Sequence, residues 1–116
     1  VNKLNEYFSR GEFACKCGCE FSVVDTELLE VLTRLRLRFN QPVKINSACR
    51  CAFHNKAVGG SDGSKHKLGI AADVVVKGVP TKDVYNFLDC NEPNKYGIGE
   101  YKTFVHIDVR ENKARW

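Results

Sequence analysis

The 116 residues suffice for one hydrophobic core and not for two, so a single domain spanning residues 1–116 is expected. The composition, 43% hydrophobic and 28% charged, is that of an ordinary globular protein, and no run of about 18 apolar residues is present to span a membrane. The net charge of +4 favours anionic polymers only loosely, and the alternate spacing of Arg34, Arg36 and Arg38 scatters them around a helix, which argues against a nucleic-acid partner.

The polar start, Val1 to Glu6, does not read as a secretory signal. From Asp25 to Phe39 an amphipathic helix is expected, because Leu28, Leu29, Leu32, Leu35 and Phe39 recur at three- and four-residue spacing. Ser22 or Asp25 can cap its start, and Asn40-Gln41-Pro42 ends it. Val43 to Asn46 is a short strand candidate, followed by a loop of small and polar residues running to about Gly63. Within that loop Ala52 to Val58 can form a helical turn closed by Gly59-Gly60. Ile70 to Val76 is strongly β-prone and ends at Lys77-Gly78. Pro80 opens a second helix carrying Val84, Phe87 and Leu88. After the Asn91–Asn94 loop, Tyr96 to Tyr101 and Phe104 to Arg110 read as two antiparallel strands. The fold class expected from this order is α+β, a small antiparallel or mixed sheet packed against two or three helices.

Chemistry-bearing residues interrupt two of these strands. Asp73 stands among Ala71, Ala72, Val74, Val75 and Val76, where a carboxylate is costly to bury without a cation or strong donors. His106 and Asp108 stand among Phe104, Val105, Ile107 and Val109, and period two places both on one strand face. His66 precedes the first of these strands, with Gly69 able to turn the chain between them. Imidazole and carboxylate are the donors zinc accepts in open catalytic sites, but this spacing alone does not distinguish a metal site from satisfied core residues. The six cysteines fall as Cys15, Cys17 and Cys19, then Cys49 and Cys51, then Cys90. Their C-x-C spacing is not that of common zinc knuckles, and free thiols, links between the clusters and a second metal remain equally open.

The segment Ser64-Lys65-His66-Lys67-Leu68-Gly69-Ile70-Ala71-Ala72-Asp73 resembles the S-x-H-x-x-G-x-A-x-D motif of the zinc D-Ala-D-Ala carboxypeptidase family, which includes L-Ala-D-Glu endopeptidases of phage endolysins. Phe104-Val105-His106-Ile107-Asp108-Val109-Arg110 is similar to the H-x-D-x-R ending of a short single-domain branch. Ile45-Asn46-Ser47 with Arg50, His54-Asn55 and Val58-Gly59-Gly60 are similar to the same branch. The resemblance spans roughly Phe13 to Trp116 and implies a hedgehog-like, DD-peptidase-like fold.

Carried over by position, the resemblance makes His66, Asp73 and His106 ligands of Zn2+. It places Arg50 against the substrate, where a guanidinium can grip a carboxylate or oxyanion, and gives Ser64 a hydrogen bond to substrate or ligand. From the residues alone, Arg50 could equally pin its loop in a salt bridge and Ser64 could be a plain loop cap. Many relatives carry an acid three residues before the last His; here that position is Thr103, a departure from the pattern. The first choice for the general base is then Asp108, and the second is Glu100, whose spacing from His106 matches a Glu of hedgehog-type domains. As structural residues, Asp108 would orient His106 or pair with Arg110, and Glu100 would be solvated at a hairpin end. The implied function is hydrolysis of a peptide bond in peptidoglycan stem peptides by a monomeric metallopeptidase, as an endolysin or carboxypeptidase acting on the bacterial cell wall. The alternative is a non-catalytic zinc-binding module with a structural or partner-binding role.

Overall fold

A computed structural model describes residues 7–8, 10–13, 15, 25–48, 58 and 70–116. A 3-10 turn, Arg10–Phe13, precedes helix α1, Thr26–Phe39. Of the two expected caps, Asp25 is the one seen: its carboxylate accepts from the backbone N–H groups of Glu27 at 2.8 Å and Leu28 at 3.3 Å, two donors that a helix start leaves without partners. The helix ends where Asn40 turns into the left-handed region at φ 51° and donates its N–H to Arg36. Strand β1 is Val43–Ser47 and β2 is Ala71–Val76. Helix α2, Thr81–Asn91, follows Pro80, and strands β3, Gly97–Glu100, and β4, Val105–Asp108, form the expected hairpin. A two-residue strand, β5, Ala114–Arg115, completes the set. The expected turn from Ala52 to Val58 lies outside the described residues, apart from Val58 itself.

The five strands form one mixed sheet in the order β1-β2-β4-β3-β5, with β5 parallel to β3 and the other pairs antiparallel. The expected α+β fold is therefore observed, two helices against a mixed sheet. α1 packs on β1 and β2, and α2 on β2, β4 and β3. The sheet face that meets the helices carries Val43, Ile45, Ala72, Val74, Val76, Val105, Ile107 and Ile98, all buried. Leu28, Val31, Leu32 and Leu35 of α1 and Val84 and Leu88 of α2 close this core. Burying side chains of this size contributes roughly 1.5–3 kcal/mol each before conformational entropy is charged against it. No described helix is long and apolar enough to cross a membrane.

Two features missing from the sequence reading tie the sheet edge down. β5 docks beside β3 through Ala114 N–H to the Tyr96 carbonyl and Trp116 N–H to Ile98. The Arg115 guanidinium then donates to Asp89 at 2.7 Å and to the carbonyls of Tyr96, Ala114, Glu92 and Lys95 at 2.6–3.1 Å. A planar cation with five donors is the side chain suited to gather several carbonyls at the end of a helix.

Candidate active site

Because successive side chains alternate across a strand, the register that buries Val74 and Ile107 turns Asp73, His106 and Asp108 to the other face. Asp73 is directly opposite His106, and Ala71 opposite Asp108. On the far side of β4 the partners are Gly99 for His106 and Gly97 for Asp108. β1 contributes a bulge: Ile45 pairs with Val74 and Ser47 with Asp73, leaving Asn46 as the extra residue and bringing Ser47 beside the carboxylate strand.

The His106 ring is held between two carboxylates. Nδ1 lies 2.9 Å from Asp73 Oδ1, and Nε2 lies 2.8 Å from Asp108 Oδ2. Asp108, with no exposed surface, is the most enclosed ionic group of the site. Arg110 donates to it twice, Nε to Oδ1 and Nη2 to Oδ2, both at 2.7 Å. The backbone N–H groups of Gly97 and Arg110 reach Oδ1 at 3.2 Å. A buried carboxylate tolerates its loss of water only with such a donor set. Burial acts to raise the pKa of Asp108, but the hydrogen bonds from His106 and Arg110 win and hold it well below the usual carboxylate range. Burial likewise opposes the imidazolium of His106, yet the hydrogen bonds to Asp108 and Asp73 raise its pKa above the ordinary histidine value. Charged as Asp73 and Asp108 carboxylates, His106 imidazolium and Arg110 guanidinium, the row is electrically balanced.

Two glycines make room for this arrangement. A Cβ on Gly97 would stand 2.5 Å from Asp108 Oδ2 and 2.6 Å from Arg110 Nε, inside both atoms' contact radii. A Cβ on Gly99 would overlap the indole of Trp116, which packs tilted against His106 with ring centroids 5.2 Å apart.

The structure thus brings together Asp73, His106 and Asp108, joins Asp108 to Arg110 as expected of it in a structural role, and adds Trp116, which no sequence pattern singled out. Arg110 stands in the H-x-D-x-R ending, and its position two residues beyond Asp108 is the signal that identifies it. His66, Arg50 and Ser64 lie outside the described residues. Glu100 is not brought to the cluster: it sits on the Ile98 side of β3, exposed, and accepts from Thr81 Oγ1 at 3.1 Å. Thr103 is exposed in the hairpin turn. Of the cysteines, Cys15 is buried and Cys90 exposed; the other four lie outside the described residues.

Asp73 and His106 fit a zinc site by chemistry and by orientation. A carboxylate oxygen and a ring nitrogen, both zinc donors, face each other across paired strands, while the other ring nitrogen is occupied by a carboxylate, as is usual for metal-binding imidazoles. Among the described residues no group of three or more His, Cys, Asp or Glu is arranged to hold a metal, the expected third ligand His66 lying outside them. A family model described as Peptidase M15 matches residues 6–108, and the chain belongs to that family. Its members are zinc-dependent peptidases, so zinc and metallopeptidase chemistry come with the membership. No curated protein matches the chain.

Proposed function

We propose that this chain hydrolyses a peptide bond in the stem peptides of peptidoglycan, with His66, Asp73 and His106 as zinc ligands. The observation that carries the reading is the facing pair Asp73 Oδ1 and His106 Nδ1, with Nε2 of the same ring committed to Asp108. Zinc, when bound, polarises a water and the scissile carbonyl so that attack proceeds at neutral pH. Asp108 and Arg110 keep Nδ1 of His106 turned toward Asp73 and fix the ring's tautomer. In this reading Asp108 acts as an orienting group and not as the general base, because it is enclosed and all its donors are protein groups. Arg50 grips a carboxylate of the substrate or the oxyanion, and Ser64 hydrogen-bonds substrate or ligand. Stem peptides carry free carboxylates, which suits that arginine and a chain of net charge +4.

A non-catalytic zinc-binding module is the second reading, favoured by Thr103, which offers no carboxylate in the turn before β4. Purified muropeptides incubated with the zinc-loaded chain, with and without chelator, and read by mass spectrometry decide between them. Cleavage at one bond type, abolished by chelator and by His106→Ala, is expected. Zinc-loaded protein that leaves every muropeptide intact would overturn the enzymatic reading.

A further inference from the structure

The strand pair β3–β5 fixes the position of Trp116. This residue follows β5, and its backbone is bonded on both sides: its N–H donates to Ile98 and its carbonyl accepts from Glu100 at 2.8 Å. Its indole drops into the space left by Gly99, the residue directly opposite His106. Nε1 donates to the Tyr101 hydroxyl at 2.8 Å, and the Tyr101 ring is in turn stacked on Phe104 at 4.6 Å. So held, the indole packs on His106 and carries the Arg110 guanidinium over its face, 5.4 Å from the ring centre. Residues 109–116, and so Trp116, fall beyond the segment matched by the family model.

From this geometry we infer that Trp116 is a positioning residue of the metal site. It clamps the His106 ring in the orientation that presents Nδ1 to Asp73, and it covers the Arg110–Asp108 pair that holds Nε2. An indole is suited to both tasks, since it offers a rigid apolar wall to the imidazole and a π face to the guanidinium. Removing it opens the ion pair, whose Arg110 side chain is already 29% exposed, further to water, which weakens its hydrogen bonds, and frees the ring to rotate. The inference rests on the zinc reading above.

The test is zinc affinity, measured by competition with a chromophoric chelator on the whole chain. Trp116→Ala is expected to lose affinity by about 10- to 100-fold, the range typical of outer-shell partners of metal ligands. Trp116→Phe should recover most of the loss, because an apolar ring still fills the notch. Gly99→Ala should reproduce the loss with the tryptophan intact, because its Cβ displaces the indole. Trp116 is the chain's sole tryptophan, so zinc binding by the wild-type protein should also change the intrinsic fluorescence, saturating at a single equivalent. Folded Trp116→Ala that binds zinc as tightly as wild type would overturn the inference alone. Wild-type protein that binds no zinc would overturn the zinc reading as well. If Trp116→Ala fails to fold, the fluorescence decides: zinc binding with no change in emission refutes the contact.

Discussion

Replacing Asp108 by Asn changes one atom and no volume, yet it should disable the site. Both carboxylate oxygens face donors: Oδ1 takes Arg110 Nε, Gly97 N–H and Arg110 N–H, while Oδ2 takes His106 and Arg110 Nη2. The NH2 of an asparagine therefore meets a donor whichever way the amide is turned. The one donor able to yield is His106, which can release its Nε2 proton, keep the one on Nδ1 and accept from the amide. That keeps a proton on the nitrogen facing Asp73, where the metal would be held. Zinc affinity should fall by about 10- to 100-fold. Stability should fall too. Breaking a buried ion pair costs about 3–5 kcal/mol, and since the Arg110 side chain is 29% exposed and can recover some water, about 3 kcal/mol is expected, roughly 10–15 °C in Tm. Chelator competition gives the first quantity and thermal unfolding of the metal-free protein the second, while long-range 1H–15N spectra of the imidazole give the tautomer. Asp108→Asn with unaltered zinc affinity but lost peptidase activity would refute the orienting role and return Asp108 to the general base expected from sequence.

Gly97→Ala should destabilise the protein by about 1–3 kcal/mol in denaturant unfolding, because its Cβ meets Asp108 and Arg110 in a space with no slack. Arg115→Ala should cost a similar amount, about 2 kcal/mol, by leaving the carbonyls around the end of α2 without their shared donor. Arg115→Lys should recover little, since an ammonium cannot span the same fork. The third concerns acid. The Tyr96 hydroxyl donates to Glu27 at 2.5 Å, and with Lys95 it lowers the Glu27 pKa below 4.5. A depressed carboxylate stabilises the fold above its unfolded pKa and loses that contribution as pH falls through the folded value. Tyr96→Phe should therefore lower stability at pH 7 and flatten its pH dependence below about 4.5, and an unchanged acid limb would refute the link.

The fold was legible where local patterning is strong. The leucine spacing of α1, the valine run of β2 and the alternation in β3 and β4 each specify one element, and the structure follows them to within a residue or two. β5 was not legible: two residues carry no period, and Ala114-Arg115 is a strand only because Tyr96 and Ile98 offer it free backbone groups. The site was half legible. Asp73, His106 and Asp108 stood out as polar residues in apolar strands, since burial without partners would be prohibitive. For Asp108 two roles were legible, base or orienting partner of His106 and Arg110, but not the choice between them, because whether a carboxylate touches water or an arginine depends on what lies beside it, and that is set by Gly97 and Arg110. Glu100 shows the converse. Its distance from His106 along the chain is suggestive, but the strand places its carboxylate on the face away from His106, beside Thr81.

The same alternation couples stability to chemistry in this sheet. Val74, Val105, Ile98 and Ile107 are buried against the helices, and each is a sequence neighbour of a residue on the site face: Asp73, His106, Asp108, Gly97 or Gly99. A one-residue slip of β4 would send Val105 and Ile107 to the site face and drive His106 and Asp108 into the core. The transfer of two large apolar side chains alone would cost about 3–6 kcal/mol, and burying a charged pair away from Arg110 would add to it. The hydrophobic core therefore holds the register that sets Asp73 against His106, and no separate device is needed to bring those two residues together. What the register cannot do is orient the imidazole within its own face. That task falls to the enclosed Asp108–Arg110 pair on one side and to Trp116 on the other, both admitted by the two glycines of β3.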